Sequence, residues 1–305
     1  MIEANQELYT QRLLALPIIQ SIEDLSTRTR LPVSLISQYL GDNSRYYFNI
    51  QHKKKTGGIR SINSPNRQLK ALQRWILKNI LEKLKPSRYA KGFIPKLKLL
   101  DNAQPHAGNQ YVLKIDFKDF FPTIEANKVY SIFRAVGYSK KISYYLTSIC
   151  TLKGYLPQGA PSSPYLSNLV CIRIDHRIGR YCDKYALIYT RYADDISISG
   201  NQLSSIKKSW LIIKMIISEE GFIINKNKEL LSGPRSSRIV TGLVTTPNVG
   251  IGRKKYNHYR KEIFNLNRNG SMSHVEKITG ILSFVKSVDI KRYELLKKHY
   301  ETIQL

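Results

Sequence analysis

Apolar and polar positions alternate with two different periods along this 305-residue chain. Between residues 66 and 84 the apolar side chains recur every three or four positions, which predicts an amphipathic helix. Residues 111–116 and 187–200 carry apolar and β-branched side chains in short runs typical of strands. Other short strands are expected near residues 222–224, 229–231, 238–244 and 249–252. Helices are expected before residue 41 and after Gly252, so the pattern predicts a mixed α+β fold.

The charge balance indicates the class of partner. Lysine and arginine total 49 against 22 aspartate and glutamate residues, a formal net charge of +27. A charge of this size predicts a polyanionic partner, and nucleic acid is the first candidate because phosphate neutralisation releases counterions. A cationic membrane-surface protein is the alternative. The most apolar run, WLIIKMII, is short and is interrupted by Lys214, so we expect no membrane association.

The cysteines favour a reducing compartment. Cys150, Cys171 and Cys182 are odd in number and lack the paired spacing of zinc ligands. We therefore expect reduced, buried thiols in a cytoplasmic protein.

Residues 21–41, SIEDLSTRTRLPVSLISQYLG, resemble two short helices around a turn, with a capping box from Ser21 to Asp24. Such a pair could form a DNA-reading helix-turn-helix, or it could belong to any α-rich subdomain. The pattern alone leaves both interpretations open.

Two adjacent acids stand out in this basic chain. The stretch LIYTRYADDISISG, residues 187–200, places Asp194 and Asp195 at the tip of a predicted hairpin. Turns favour aspartate for conformational reasons alone, which is one interpretation. Asp116 ends another strand, YVLKID, and three carboxylates would converge if the two strands are neighbours. Carboxylates suit Mg²⁺, and two bridged ions can promote an in-line displacement, so the acids predict a site for nucleotidyl transfer.

At these residues the chain resembles a known family. YADD at 192–195, with Asp116 opening DFKDFFP, looks like the active site of reverse transcriptases, and of the bacterial retron type in particular. The loop LPQGAPSSP resembles the segment that precedes the palm helix in that family. Two further stretches resemble motifs of the retron type: NAQPH (Asn102, Ala103 and His106) and VTG (Val240, Thr241 and Gly242). The likeness extends from about residue 10 to the end of the chain.

The resemblance implies an α+β right-hand polymerase fold, with fingers, a palm of antiparallel sheet and helices, and a helical thumb. We expect an N-terminal helical extension over 1–45, fingers over 46–110, a palm over 111–245 and an RNA-binding thumb over 246–305. An insertion of the fingers is expected near 138–160.

The same resemblance assigns roles at the catalytic site. Asp116, Asp194 and Asp195 are expected to be catalytic and to hold two Mg²⁺ ions, together with the backbone carbonyl of Phe117. Asp119 is expected to support the turn that follows Asp116.

Nucleotide contacts are expected from Lys53, Arg60, Phe121, Gln158 and Lys228. Phe121 would crowd a ribose 2′-hydroxyl and so select deoxynucleotides, unless it only packs in the core. Lys53 and Lys228 have the alternative of being ordinary surface lysines.

Other roles stay open or rest on the family alone. His106 could be structural or functional, and Arg191 could reach template phosphate or pair with an acid. RNA contacts are expected from the thumb, through Arg253, Lys254, Lys255, Tyr256 and Arg260.

The resemblance also implies RNA-directed DNA synthesis from deoxynucleoside triphosphates. Its template and primer would be a cognate non-coding RNA, with synthesis starting at a guanosine 2′-hydroxyl and giving a branched RNA-linked single-stranded DNA (msDNA). The resemblance further implies a role in antiviral defence in a bacterial cytoplasm, together with a separate effector protein. The alternatives are a sequence-specific DNA-binding regulator built on residues 21–41 and a catalytically inactive RNA-binding protein.

Overall fold

The computed structural model of the chain describes residues 9–53, 57–268 and 272–304. Residues 9–13 are helical. The helices that follow are α1 (Ile22–Thr29), α2 (Val33–Gln38), α3 (Arg67–Asn79), α4 (Leu99–Ala103), α5 (Ala126–Ala135), α6 (Lys140–Cys150), α7 (Ser163–Val170), α8 (Ile172–Lys184), α9 (Leu203–Glu219), α10 (Gly252–Arg268), α11 (Met272–Val288) and α12 (Ile290–Gln304). The strands are β1 (Tyr47–Lys53), β2 (Ile59–Pro65), β3 (Tyr111–Asp116), β4 (Ile188–Tyr192), β5 (Asp195–Gly200), β6 (Leu230–Ser232), β7 (Ile239–Val240) and β8 (Leu243–Val244).

The chain forms two compact units, each assembled from segments that are separated in sequence. Unit 1 contains residues up to Ile94, Phe117–Ile178 and Lys214–Ile224. Unit 2 contains Pro95–Asp116, Gly179–Ile213 and the residues from Asn225 onward. The division into extension, fingers, palm and thumb stays a prediction.

Unit 1 combines the β1–β2 hairpin with helices α1 to α3 and α5 to α7. The predicted capping box at the start of α1 is confirmed: Asp24 N donates to Ser21 Oγ at 3.2 Å, and Ser21 N donates to Asp24 Oδ2 at 3.1 Å. The helix predicted over 66–84 ends earlier than expected, at Asn79, and a 3₁₀ turn follows over Leu81–Lys83.

Unit 2 contains a four-stranded antiparallel sheet in the order β4-β5-β3-β6. Helices α10 to α12 pack with the β7–β8 hairpin around an apolar core. Its buried members are Ala103, Val112, Val240, Leu243, Ile251, Ile263, Ile278, Val285, Val288 and Leu296.

Three of the expected short strands need correction. The 238–244 stretch is a hairpin, because Thr241 and Gly242 adopt φ angles of 45° and 77° and reverse the chain between β7 and β8. Residues 222–224 and 249–252 each form only a single bridge, at Ile224 and at Gly250. The second stretch cannot extend because α10 begins at Gly252.

Two expectations about composition can be compared with the fold. Cys150, Cys171 and Cys182 are free and buried, as predicted. Among the described residues, none of the helices combines the length and the apolar character needed to cross a bilayer.

Candidate active site

The YADD hairpin and strand β3 bring the three predicted acids to one end of the sheet in unit 2. Asp116, the last residue of β3, lies directly opposite Asp195, the first residue of β5. Asp195 also pairs with Tyr192 at the end of β4, so Ala193 and Asp194 form the connecting turn. The two predicted strands are therefore neighbours, and their pairing brings Asp116 beside the Asp194–Asp195 pair.

A buried arginine holds the turn between β4 and β5. Ala193 has a φ of 57°, a left-handed value that costs energy for a residue with a Cβ. The guanidinium of Arg191, which is fully buried, donates from Nη1 to the Ala193 carbonyl at 3.0 Å. Arg191 has no surface exposed to solvent. The structure therefore contradicts the first of its two interpretations, a contact with template phosphate.

Two lysines lie against the acids. Lys228 Nζ contacts both carboxylate oxygens of Asp116, at 2.8 and 2.9 Å, and the Lys228 side chain is 56% exposed. Lys114 Nζ lies 3.0 Å from Asp195 Oδ2, and its side chain is only 25% exposed. Each lysine therefore offsets one negative charge of the cluster.

Burial and mutual repulsion disfavour ionisation of the carboxyl groups in this cluster. Burial raises the pKa of Asp194, and the neighbouring carboxylate of Asp116 raises it further. Burial also raises the pKa of Asp195, although the nearby Lys114 acts in the opposite direction. Crowded carboxylates of this kind ionise fully only when cations neutralise them.

The described residues contain no group of three or more His, Cys, Asp and Glu side chains arranged as a metal site. The roles of Asp116, Asp194 and Asp195 as ligands of Mg²⁺ therefore stay predictions, as does that of the Phe117 carbonyl. Asp119, expected to support the turn, has a left-handed φ of 48°. Its carbonyl accepts hydrogen bonds from Thr123 N at 3.1 Å and Thr123 Oγ1 at 2.9 Å.

Most residues expected to contact the nucleotide lie in unit 1. Lys53 ends β1, and Arg60 lies on β2 opposite His52. The Gln158 carbonyl accepts a hydrogen bond from Asn63 N at 2.7 Å, which fixes the LPQGAPSSP loop against β2. A Cβ at Gly159 would lie 2.6 Å from the Asn63 carbonyl oxygen, so the loop can approach β2 this closely only with glycine at that position.

The two phenylalanines of DFKDFFP have different environments. Phe120 is buried, and its ring centroid lies 5.4 Å from that of Phe117 and 5.9 Å from that of Phe222. Phe121 is only half-buried and touches this cluster from one side, with its centroid 5.4 Å from Phe120. Phe120 is thus the core residue, and Phe121 has the exposure that a contact with substrate needs.

The two retron-type motifs meet in unit 2. Asn102 Nδ2 donates to Thr241 Oγ1 at 3.4 Å, which joins NAQPH to the VTG turn across 139 positions. Ala103 and Val240 are buried in the adjoining apolar core, and Gly242 completes the turn.

His106 links two strands of the sheet. Its Nε2 is hydrogen-bonded to Thr190 Oγ1 at 2.8 Å and its Nδ1 to Ser199 Oγ at 2.7 Å, so it connects β4 to β5. Burial lowers the pKa of His106 to about 4, which keeps the ring neutral at physiological pH. These contacts support the structural interpretation of His106.

The predicted RNA-binding residues of helix α10 differ in their exposure to solvent. Arg253, Lys254 and Arg260 are exposed. Lys255 is half-buried, with Nζ 4.6 Å from the ring centroid of Phe284, and burial lowers its pKa. Tyr256 is half-buried and packs against the apolar core. Of these five residues, the three exposed cations are the ones directed to solvent.

Lys114 was not among the residues selected from the sequence. Side chains alternate faces along a strand, so a lysine two positions before Asp116 lies on the same face as the acid. Antiparallel pairing then places Lys114 opposite Ser197, next to Asp195 on β5. This period-two rule could have identified Lys114 once β3 and β5 were assumed to pair.

Comparison with known proteins gives the family. Residues 51–239 match the sequence profile described as Reverse transcriptase (RNA-dependent DNA polymerase). The chain is 43% identical over 288 residues to the Retron Ec86 reverse transcriptase of Escherichia coli, covering 93% of this chain and 90% of that protein. It is 30% identical to the Retron Mx65 reverse transcriptase of Myxococcus xanthus, covering 93% and 72%.

A solved structure supports the fold. The foamy viral protease-reverse transcriptase in complex with double-stranded DNA aligns with a TM-score of 0.50 and 17% sequence identity, over 85% of this chain and 39% of that one. At this identity the likeness shows a reverse-transcriptase-like α+β fold and no more. Together with the profile match and the identity to retron enzymes, it leads to one assignment: the chain belongs to the retron-type reverse transcriptases, which are RNA-directed DNA polymerases.

Proposed function

We propose that the chain copies a cognate non-coding RNA into DNA at the cluster formed by Asp116, Asp194 and Asp195. The observation that supports this site best is the register of the sheet, which sets Asp116 directly opposite Asp195, with Asp194 in the adjoining turn. The parts of the chain would act as fingers, palm and thumb, with the acids on the palm.

The chemical type of these donors, rather than their arrangement in the structure, supports binding of divalent cations. Carboxylate oxygens are the ligands that Mg²⁺ prefers, and the raised pKa values of Asp194 and Asp195 reflect burial and a repulsion that cations would relieve. When bound, two Mg²⁺ ions would activate the attacking hydroxyl and stabilise the leaving oxygen. Asp116, Asp194, Asp195 and the Phe117 carbonyl would hold them.

The chain's own side chains would orient the incoming deoxynucleoside triphosphate. Arg60 and Lys53 would bind its phosphates, and Arg60 offers the planar fork that suits them. Phe121 would lie under the sugar and Gln158 beside the nucleotide. Lys228, which is exposed and forms an ion pair with Asp116, would move its side chain toward the departing pyrophosphate and donate a proton to it, leaving a neutral amine.

We further propose the product and the biological setting on the strength of the family. The non-coding RNA would serve as template and primer, a guanosine 2′-hydroxyl would start synthesis, and the product would be msDNA. The enzyme would act in antiviral defence in a bacterial cytoplasm, with a separate effector protein. Exposed Arg253, Lys254 and Arg260 would bind RNA backbone, with Lys255 and Tyr256 supporting the same helix.

Primer extension tests the proposed site. The purified chain would receive an RNA template with an annealed DNA primer, Mg²⁺ and labelled deoxynucleotides. Asp194→Asn and Asp195→Asn should abolish incorporation while RNA affinity persists, because both replacements keep the shape of the side chain. Glu276→Gln, which removes an exposed acid on α11, should leave incorporation unchanged.

The outcomes separate the alternatives. Full incorporation by both asparagine variants would reject this catalytic site. RNA binding without incorporation by the wild-type chain would favour the inactive RNA-binding protein, and binding to one DNA sequence alone would favour the regulator.

A further inference from the structure

A cavity lies at the end of strand β3 that is farther from the acids, in unit 2. It is open to solvent, has a volume of about 360 Å³ and is lined by Tyr111, Gly233, Pro234, Arg235 and Ser236. Tyr111 begins β3 and Asp116 ends it, so at about 3.4 Å per residue the cavity is roughly 17 Å from the acids along the strand. The two side chains also fall on opposite faces of the sheet, because five positions separate them. The cavity is therefore distinct from the catalytic cluster.

The loop that forms this cavity is held in place by its own polar groups. Gly233 N donates to Ser236 Oγ at 3.1 Å, and Ser236 N donates back to the Gly233 carbonyl at 3.0 Å. Arg238 is 8% exposed and donates to the same carbonyl at 2.9 Å and to Thr246 Oγ1 at 2.6 Å. One arginine of the GPRSSR segment is thus committed to the structure of the loop.

The glycine brings the loop against an aromatic ring. A Cβ at Gly233 would lie 3.2 and 3.3 Å from two carbons of the Tyr111 ring, tighter than ordinary contact. Glycine therefore allows the backbone to close on Tyr111. The exposed Arg235 then shares the cavity with the half-buried ring.

The chemistry of the lining identifies the class of ligand. An aromatic face stacks on any nucleobase, and a guanidinium binds phosphate through two parallel hydrogen bonds. The five lining residues include no acid that would repel a phosphate. One arginine suits a single phosphodiester better than a triphosphate.

We infer that this cavity binds an unpaired nucleotide of the RNA, with its phosphate on Arg235 and its base against Tyr111. The inference rests on the proposed use of a non-coding RNA. RNA must bind before any DNA product exists. RNA is therefore the first nucleic acid that can fill a site outside the catalytic cluster. Its role is to retain a single-stranded part of that RNA during synthesis.

Equilibrium binding to the full chain tests this inference. The probe is an end-labelled, unstructured RNA of about 20 nucleotides, long enough for several contacts, titrated at several salt concentrations without nucleotide or Mg²⁺. Arg235→Ala should weaken binding at least about five-fold and reduce the slope of log affinity against log salt by about 0.7, the value for one phosphate on a single strand. Arg235→Lys should retain the slope and recover part of the affinity.

The aromatic half of the site needs its own variants. Tyr111→Phe should bind as the wild type does, whereas Tyr111→Leu should weaken binding roughly five-fold to a hundredfold because the base no longer stacks on a ring. Arg74→Ala is the matched control, because Arg74 is an exposed arginine on α3 in the other unit. Melting temperatures confirm that each variant is folded.

Three results would overturn the inference. The first is an Arg235→Ala variant with wild-type affinity and slope, and the second is an equal loss of affinity from Arg74→Ala. The third is a Tyr111→Leu variant with wild-type affinity, which would show that no base stacks on the ring. Because the assay needs no catalysis, an inactive cluster at Asp116 would leave these results readable.

Discussion

The ammonium group of Lys228 lies 2.8 Å from Asp116 Oδ1 and joins two residues that are 112 positions apart. Asp116 ends strand β3, whereas Lys228 ends the 3₁₀ turn Lys226–Lys228. If Asp116 is the catalytic acid proposed above, this exposed cation should affect both metal binding and proton transfer.

Replacing Lys228 should separate these two effects. Lys228→Met removes a cation that competes for Asp116, so half-maximal activity should need less Mg²⁺. The maximal rate should nevertheless fall by about 100-fold, the lower end for removal of a general acid. Single-turnover extension across a Mg²⁺ titration measures both quantities. Lys226→Met, on the same exposed turn, is the control, and identical behaviour of the two variants would show that Lys228 is an ordinary surface lysine.

The two adjacent phenylalanines should respond differently to truncation. Phe121→Val should raise ribonucleotide use relative to deoxynucleotide use by about tenfold or more, since a decrease of about 1.4 kcal/mol in steric discrimination corresponds to a factor of ten. Phe120→Ala should instead destabilise the fold by about 3–5 kcal/mol, because its buried ring packs on Phe117 and Phe222. Competition between the two nucleotide types and urea unfolding provide the measurements. An unchanged sugar preference in Phe121→Val would show that Phe121 has only a packing role.

His106 should make the stability of the fold depend on pH. Burial holds its folded pKa at about 4, below the unfolded value of about 6.5, so the unfolded chain binds the proton first as pH falls. The neutral His106 ring therefore contributes its full share to the free energy of unfolding above about pH 6.5, and this share is lost as the pH falls toward 4. Between about pH 7.5 and pH 5 the loss amounts to roughly 2 kcal/mol.

Urea unfolding of wild type and His106→Gln at the two pH values isolates this contribution. The variant should be less stable at the higher pH and should lack the part of the pH dependence that His106 causes. His52→Gln, at an exposed histidine on β1, should retain the full dependence. Parallel curves for wild type and His106→Gln would contradict the buried neutral ring.

The cations of α10 should divide into two classes. Neutralising Arg253, Lys254 and Arg260 together should reduce the salt slope of RNA affinity by about 0.7–0.9 for each RNA phosphate that these side chains no longer neutralise. Lys255→Met should leave the slope unchanged and lower the melting temperature, because Lys255 packs against Phe284 and Tyr259. A slope that falls with Lys255→Met and not with the triple variant would reverse this assignment.

Local sequence patterns predicted helices and strands well where the conformation depends only on residues within the same element. The capping box at Ser21 and the strands that carry Asp116 and Asp195 follow from spacing and alternation within a few positions. The prediction of one strand over 238–244 was wrong, because β-branched composition concealed the left-handed pair Thr241–Gly242. Turn conformation at such a pair depends on the hairpin that surrounds it.

The site shows the same division. Motif residues such as Asp194 and His106 could be selected from the sequence directly, and Lys114 only once the pairing of β3 with β5 is assumed, whereas the burial of Arg191 could not be predicted. The environment of Arg191 depends on which segments cover it, and that information is distributed over the whole chain.

By itself the sequence determined the family, the acids available for metal binding and the excess of positive charge, because these are properties of residue identity and short spacing. Tertiary structure alone decided which lysine faces which acid, which phenylalanine is buried and which arginine reaches solvent. The physical reason is that charge pairing and burial are set by distances through space, and packing brings together residues that the chain separates by a hundred positions or more.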